Sequence, residues 1–215
     1  MDSGHYSYGV MAHLSEPSFR AFHALRIKGF AKVDMVADIA AVTPDEAEIY
    51  LNVLLERELA MFREQRGLWQ LTPAGKETHR EELRIDTPDS VRSGLTPAYT
   101  DFLVLNASFK DLCGDWQLKE GAPNDHSDTQ YDKQVIERLV EMNKLASPIV
   151  ETMGDVLGRI APYAPRMLTS SQRVVAGENS MFTGVMCGSY HDVWMELHED
   201  LILTQGIDRA AEGSF

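Results

Sequence analysis

Asn124-Asp125-His126-Ser127-Asp128 sets an amide, two carboxylates, an imidazole and a hydroxyl in five consecutive positions. That density suits helix capping by Asp128 or a pocket faced by Asp125 and His126. Further on, His191 and His198 stand seven residues apart. On one helix this separates them by about 10.5 Å along the axis. Metal ligands on a single helix are usually four apart, and no C-x-x-C or H-x-H pair is present, so no metal site is expected. On a helical wheel, His191, Trp194, Met195, His198, Leu201 and Ile202 share one face, with Asp192, Glu196, Glu199 and Asp200 opposite. Two histidines on an apolar stripe read either as core residues satisfied by backbone or carboxylate, or as part of an internal polar patch. Large aromatics beside a few polar groups are what small-molecule pockets contain. The candidate ligand-binding set is therefore Trp116, Asp125, His126, Tyr131, Tyr163, Arg166, Tyr190, His191, Trp194 and His198. Tyr163 and Arg166 read as an anion partner of that set, or Arg166 as a charge that neutralises carboxylates of this acidic half. There is no Gly-rich phosphate loop and no G-x-S-x-G elbow, so neither an enzyme nor a cofactor is expected. Cys113 and Cys187, the two cysteines, are expected to be free thiols.

These residues need helices to position them. Thr96-Pro97 is read as a cap opening a helix with Tyr99, Phe102, Phe109, Leu112 and Trp116 on one side. Asp128 caps the next, where Tyr131, Val135, Leu139, Met142 and Leu145 form a stripe at helical spacing. Ser147-Pro148 is read as another start, residues 162–176 as a further helix, and Ser189 as the cap of a last helix closed by Gly206.

The N-terminal third has its own pattern. Pro17 can open a helix carrying Phe19, Phe22 and Leu25, ended by Gly29, with Phe30 just beyond. A short helix follows from Val33. Thr43-Pro44-Asp45-Glu46 is a capping box with proline at the first helical position. Ala47, Leu51, Leu54 and Leu55 form its expected buried stripe. Ala60-Met61-Phe62 and Leu68-Trp69-Gln70-Leu71 read as two strands around Arg63-Glu64-Gln65-Arg66-Gly67. Thr72-Pro73 opens one more helix.

The segments 54–60 and 71–76, with the hairpin between them, resemble the winged-helix core of MarR-type transcriptional regulators. The resemblance covers residues 17–84. It implies a dimer on double-stranded DNA, with the helix from Thr43 in the major groove and the wing on the backbone. The outward face of that helix departs from the pattern: Asp45, Glu46, Glu48 and Glu56 lie on it, without arginine or lysine. Asn52 is its one good base reader. Arg63 and Arg66 on the wing, with Lys28 and Lys32, complete the candidate DNA-binding set. Segments 124–132 and 189–201 resemble the C-terminal region of uncharacterised actinobacterial winged-helix proteins.

The fold class expected is mainly α: an N-terminal winged helix-turn-helix with a small β-hairpin wing, then an all-α helical domain. The boundaries read as an arm at 1–16, the winged helix at 17–84, a linker at 85–94, the helical domain at 95–206 and a frayed tail at 207–215. Of 215 residues, 33 are acidic and 20 basic, a net charge of −13. Residues 85–215 carry 20 acidic against 10 basic residues, so nucleic acid must be attracted locally and in a salt-sensitive way. No apolar run approaches a membrane span and no secretory signal is visible, so a cytoplasmic chain is expected. The expectation is a dimeric DNA-binding regulator responsive to a small effector in the helical domain. The alternative is an adaptor that docks protein on the acidic helix face.

Overall fold

A computed structural model describes residues 11–207. The expected arm is thus described from residue 11 and the expected tail only at residue 207; their remaining residues lie outside the described ones. The chain is mainly helical, with nine helices and two small two-stranded antiparallel sheets among the described residues.

In the N-terminal unit, α1 (Pro17–Lys28) ends where Gly29 takes φ +74°, a conformation open to glycine. It is followed by α2 (Val33–Ala40) and α3 (Pro44–Glu56). The capping box of α3 forms: the Glu46 amide donates to Thr43 Oγ1 (3.2 Å) and the Thr43 amide to Glu46 Oε2 (2.8 Å). β1 (Ala60–Arg63) and β2 (Leu68–Leu71) pair in antiparallel register, Phe62 opposite Trp69, across a 3-10 turn at Glu64–Arg66. Ala31 adds a third backbone partner to this hairpin, exchanging both hydrogen bonds with Trp69 (2.8 and 3.1 Å). α4 (Pro73–Asp86) starts on the Thr72 hydroxyl. Gly75 is needed there because a Cβ would lie 1.9 Å from the Leu59 carbonyl oxygen. Phe22, Leu25, Val36, Leu51, Leu54, Trp69 and Leu71 fill the core of this unit. Leu55 was expected in it but is 42% exposed, because α3 turns that position away from α1 and α2.

The segment at 85–94, expected as a linker, is helical on both sides of a tight break. α4 runs through Asp86, Thr87-Pro88 turns the chain, and α5 (Asp89–Gln117) begins at once. Thr87 is fully buried in that turn. The turn is held by packing. The expected helix starts at Pro97 and Pro148 are not starts either. α5 runs through Pro97, and α6 (Thr129–Val156) through Pro148. Each proline leaves one carbonyl four residues back without its helical donor. Ser93 and Lys144, which own those carbonyls, are exposed, so water can serve them.

β3 (Leu118–Lys119) and β4 (Ala122–Pro123) form a minimal hairpin after α5. Beyond α6 come a 3-10 turn at Gly158–Ile160, α7 (Tyr163–Val175), α8 (Ser180–Thr183) and α9 (Tyr190–Gln205). Ser189 caps α9 and Gly206, at φ +68°, ends it. Leu95, Phe102, Phe109, Trp116, Leu139, Val150, Met167, Phe182 and Trp194 are among the residues of a second, larger core. The arm joins this unit: the His13 amide donates to Val156 and the Gly158 amide to His13 (3.0 and 2.8 Å).

The wheel for α9 assigned Asp192, Glu196 and Asp200 to solvent. All three are buried, and eleven of the sixteen residues of α9 are buried. The N-terminal unit lies across that acidic side and covers it. Met195, expected inward, is 37% exposed.

Candidate functional site

The exposed part of α3 carries Asp45, Glu48, Ile49, Asn52, Val53 and Glu56. Ile49 is 60% and Val53 44% exposed, which is unusual for aliphatic side chains one helical turn apart. Asn52 therefore stands among carboxylates and apolar groups, open to a partner. Lys32 is exposed at the start of α2. Arg63 and Arg66 are exposed at the hairpin tip. With its amide turned so that the oxygen faces the guanidinium, Gln70 accepts from Arg63 Nη2 (2.9 Å) and Nε (3.3 Å). That contact orients Arg63 without neutralising it. Around the tip, Phe30, Phe62, Arg63, Glu64, Gln65, Arg66 and Gln70 line a groove of about 610 Å³.

Lys28 does not belong to this surface. Its side chain is 10% exposed, and Nζ lies 2.7 Å from Glu196 Oε1 and 3.7 Å from Asp192 Oδ2. The expectation that Lys28 contacts DNA is corrected accordingly: its charge is neutralised by α9. Arg166, from α7, also reaches Glu196 (2.6 Å). Arg26 reaches Glu199 (3.3 Å). The residues expected to face water on α9 are thus the docking face for basic residues of α1.

Behind this charged edge is a fully buried polar cluster that joins the two units. His23 of α1 bonds through Nε2 to Asp200 Oδ1 (2.9 Å) and through Nδ1 to His79 Nε2 of α4 (2.8 Å). A carboxylate can only accept, so His23 Nε2–H donates to Asp200. His23 Nδ1 is then the acceptor, and His79 Nε2–H donates to it. Both rings are neutral in this pattern. Burial lowers the His79 pKa to about 2, and the neighbouring His23, Arg26 and Arg159 act in the same direction. Burial also lowers that of His23, against the pull of Asp200. Burial opposes ionisation of Asp200 too, but His23, Arg159 and the Thr204 hydroxyl outweigh it and hold its pKa below the usual range.

Arg159 is the centre of this cluster. Its Nη1 donates to Asp86 (2.8 Å), Thr87 (3.2 Å) and Ser15 (3.3 Å). Its Nη2 donates to Thr204 (2.6 Å), its Nε to Asp200 (3.4 Å), and its guanidinium lies over the Phe19 ring. One side chain therefore ties the arm, the α4–α5 turn and α9 together. None of His23, His79, Arg159 or Asp200 stood out in the sequence. Each occupies an ordinary helical or turn position, and their meeting depends on contacts up to 177 residues apart.

The ten candidate ligand residues do not surround one cavity. His126 Nδ1 lies 3.0 Å from Asp132 Oδ2, and its ring packs on Trp116 (4.4 Å). Asn124 Nδ2 donates to the other Asp132 oxygen (2.9 Å). Asp132, not Asp125, is thus the partner of His126. The Asp125 carboxylate instead accepts from the Ser127 amide, which together with the Ser127 side chain lowers its pKa. Tyr131 donates its hydroxyl to the Asp115 carbonyl (2.8 Å). Tyr163 is buried and donates to Asp200 (3.3 Å), while Arg166 is held by Glu196. Tyr190 and Trp194 are core residues; Trp194 Nε1 donates to Asn106 (2.8 Å). His191 faces Phe109 and His198 faces Phe102. Of the ten, His126 alone lines the open groove along α6, about 1050 Å³, with Ile136, Val140 and Val175. Arg166 lines a separate cleft beside α7.

Cys113 is buried, which pushes its thiol up to about 12, and Cys187 is an exposed free cysteine. Among the described residues, no group of three His, Cys, Asp or Glu side chains is arranged to hold a metal ion. No helix among them is long and apolar enough to cross a membrane. No protein-family model matches the chain, and neither the curated proteins nor the solved structures searched contain a match.

Proposed function

We propose that the chain is a cytoplasmic, homodimeric transcriptional regulator. Its N-terminal unit acts as a winged helix-turn-helix on double-stranded DNA, and its helical unit responds to a small effector. The observation that carries this reading is the order and pairing of the first elements. Three helices, the third on a capping box, lead into a hairpin whose tip holds exposed Arg63 and Arg66, with Ala31 bridging Trp69 as an extra strand position. Hairpin arginines suit phosphate contact, while Lys32 adds a cation at the start of α2 and Asn52 a base-edge donor and acceptor. The exposed carboxylates of α3 repel phosphate, so attraction must come from the wing and Lys32. The effector site best supported is the groove at His126, where Asp132 fixes the ring and apolar side chains provide contact area. The buried cluster offers a physical link, since a shift in α9 is felt directly by α1 and α4.

The Arg63→Ala/Arg66→Ala double variant should bind a duplex at least tenfold more weakly at 50 mM salt, with a salt dependence shallower by about two phosphate contacts. Fluorescence anisotropy on labelled duplexes measures both. Unchanged affinity in the double variant would remove the wing from the interface, and no duplex binding by the parent protein at micromolar concentration would end the reading.

A second reading is favoured by Ile49 and Val53 on α3. Exposed aliphatics bordered by Asp45, Glu48 and Glu56 match a protein surface that is apolar at its centre and basic at its edge. Under this reading, Asp45→Lys/Glu48→Lys abolishes partner capture. Under the DNA reading the same change strengthens non-specific duplex binding several-fold, so one pair of measurements separates them.

A further inference from the structure

The groove at the hairpin tip has a feature that phosphate contact alone does not require. Phe30 is 46% and Phe62 42% exposed, and both line the groove with Arg63 and Arg66. Half-exposed phenylalanine rings beside arginines resemble the stacking platforms that hold unpaired bases, where ring faces take the base and guanidinium groups the phosphate.

The Phe62 ring and the Phe30 backbone are held in place. Phe62 packs against Trp69 across the hairpin, with centroids 5.1 Å apart. Trp69 is itself buried and bonded to Ala31 through the backbone. Phe30 sits between Gly29, which turns the chain at φ +74°, and the Ala31 bridge, so its backbone is pinned on both sides. A ring fixed by the fold loses little freedom when a base stacks on it. The volume of about 610 Å³ falls within the range of small-ligand pockets, and Gln65 and Gln70 add hydrogen-bonding groups to its wall. The two arginines outnumber the single carboxylate, Glu64, that lines it. In a chain of net charge −13, this is a local reversal of sign.

We propose that this groove binds single-stranded nucleic acid, with an unstacked base lying against Phe30 or Phe62 and its phosphate on Arg63 or Arg66. The inference rests on the nucleic-acid reading of the N-terminal unit and makes it more specific. It accounts for an α3 face poor in base readers: a base met at the wing needs no probe in the major groove.

The test compares a labelled twelve-nucleotide oligo-dT strand with a labelled duplex of mixed sequence, by anisotropy on the full chain at 50 and 200 mM salt. The single strand should bind more tightly than the duplex. Phe30→Ala and Phe62→Ala should each weaken the single strand about tenfold while changing duplex affinity less than twofold. Thermal melts confirm folding, and Phe62→Leu serves if Phe62→Ala is unfolded, because it keeps the packing on Trp69 but removes the ring face. Equal binding of both forms, or phenylalanine variants without effect on the single strand, overturns the stacking proposal while leaving wing–duplex contact intact. Binding of neither probe at 50 mM salt overturns both.

Discussion

Replacing Arg159 with methionine should lower the unfolding free energy by about 3–5 kcal/mol, the usual cost of leaving buried charges without their partner. Methionine fills much of the same space, so the effect isolates the lost guanidinium rather than a cavity. Asp86 loses its 2.8 Å donor, and Asp200 loses one of the groups that keep it ionised. The hydroxyls of Ser15, Thr87 and Thr204 lose a shared partner in the same step. Ser15→Ala provides the comparison: it deletes one hydroxyl of the cluster and leaves every charge paired, so it should cost about 1 kcal/mol. Urea denaturation at pH 7.5 measures both. A loss below 1 kcal/mol in Arg159→Met would show that the cluster is not what joins the units. Because the residues tied together lie on elements of both units, the variant should also separate the unfolding of the two units into distinct transitions.

Acidification should loosen the same junction, beginning well above the range where carboxylates titrate. The folded-state pKa of His79 is lowered from 6.5 to about 2, so the unfolded chain takes up the proton first. The stabilisation from keeping this ring neutral is complete above pH 6.5 and is lost as pH falls below that value. At pH 5 the loss from His79 alone is about 2 kcal/mol, from 1.36 kcal/mol per pH unit over 1.5 units. His23 is shifted in the same direction and adds to it. The groups facing the pair are Asp200 of α9, Arg159, Asp86 and Arg26, as well as the Phe19 and Phe22 rings. Asp200 acts in a separate window: its pKa is depressed, so its contribution is present above about pH 4 and fades only below it. His79→Gln keeps an N–H donor toward His23 but cannot titrate. Its stability should fall less steeply than that of the parent between pH 7.5 and pH 5. Parallel curves for the two proteins would mean that His79 does not carry the acid sensitivity.

Much of the chain was legible because the relevant chemistry is local. The Thr43 capping box, the Thr72 and Ser189 caps, the Gly29 and Gly206 stops and the strand pair around Arg63–Gly67 all appear where the sequence predicts. Each depends on groups within a few residues of one another. Pro97 and Pro148 were misleading for the complementary reason. Proline is a good helix start, but it is also tolerated inside a helix when the carbonyl it orphans faces water, and exposure is not a local property. The candidate pocket failed to assemble on similar grounds. Trp116, Tyr163, Tyr190 and Trp194 are large and partly polar, which suits a ligand site or a core equally, and here helix packing places them in a core.

Local hydrogen bonding and hydrophobic spacing therefore sufficed to specify the N-terminal helices and hairpin and the caps of the later helices, but not where α5 begins or that α6 is one helix. Tertiary structure decided which charges meet water. Asp192, Glu196 and Asp200 repeat on α9 as a solvent-facing stripe would, yet Lys28 and His23, from the opposite end of the chain, cover them. A carboxylate is stable in either setting provided it has water or a donor, so its residue type and spacing are the same in both. The docking of α1 on α9, together with Arg159 and Arg166, determines which one applies.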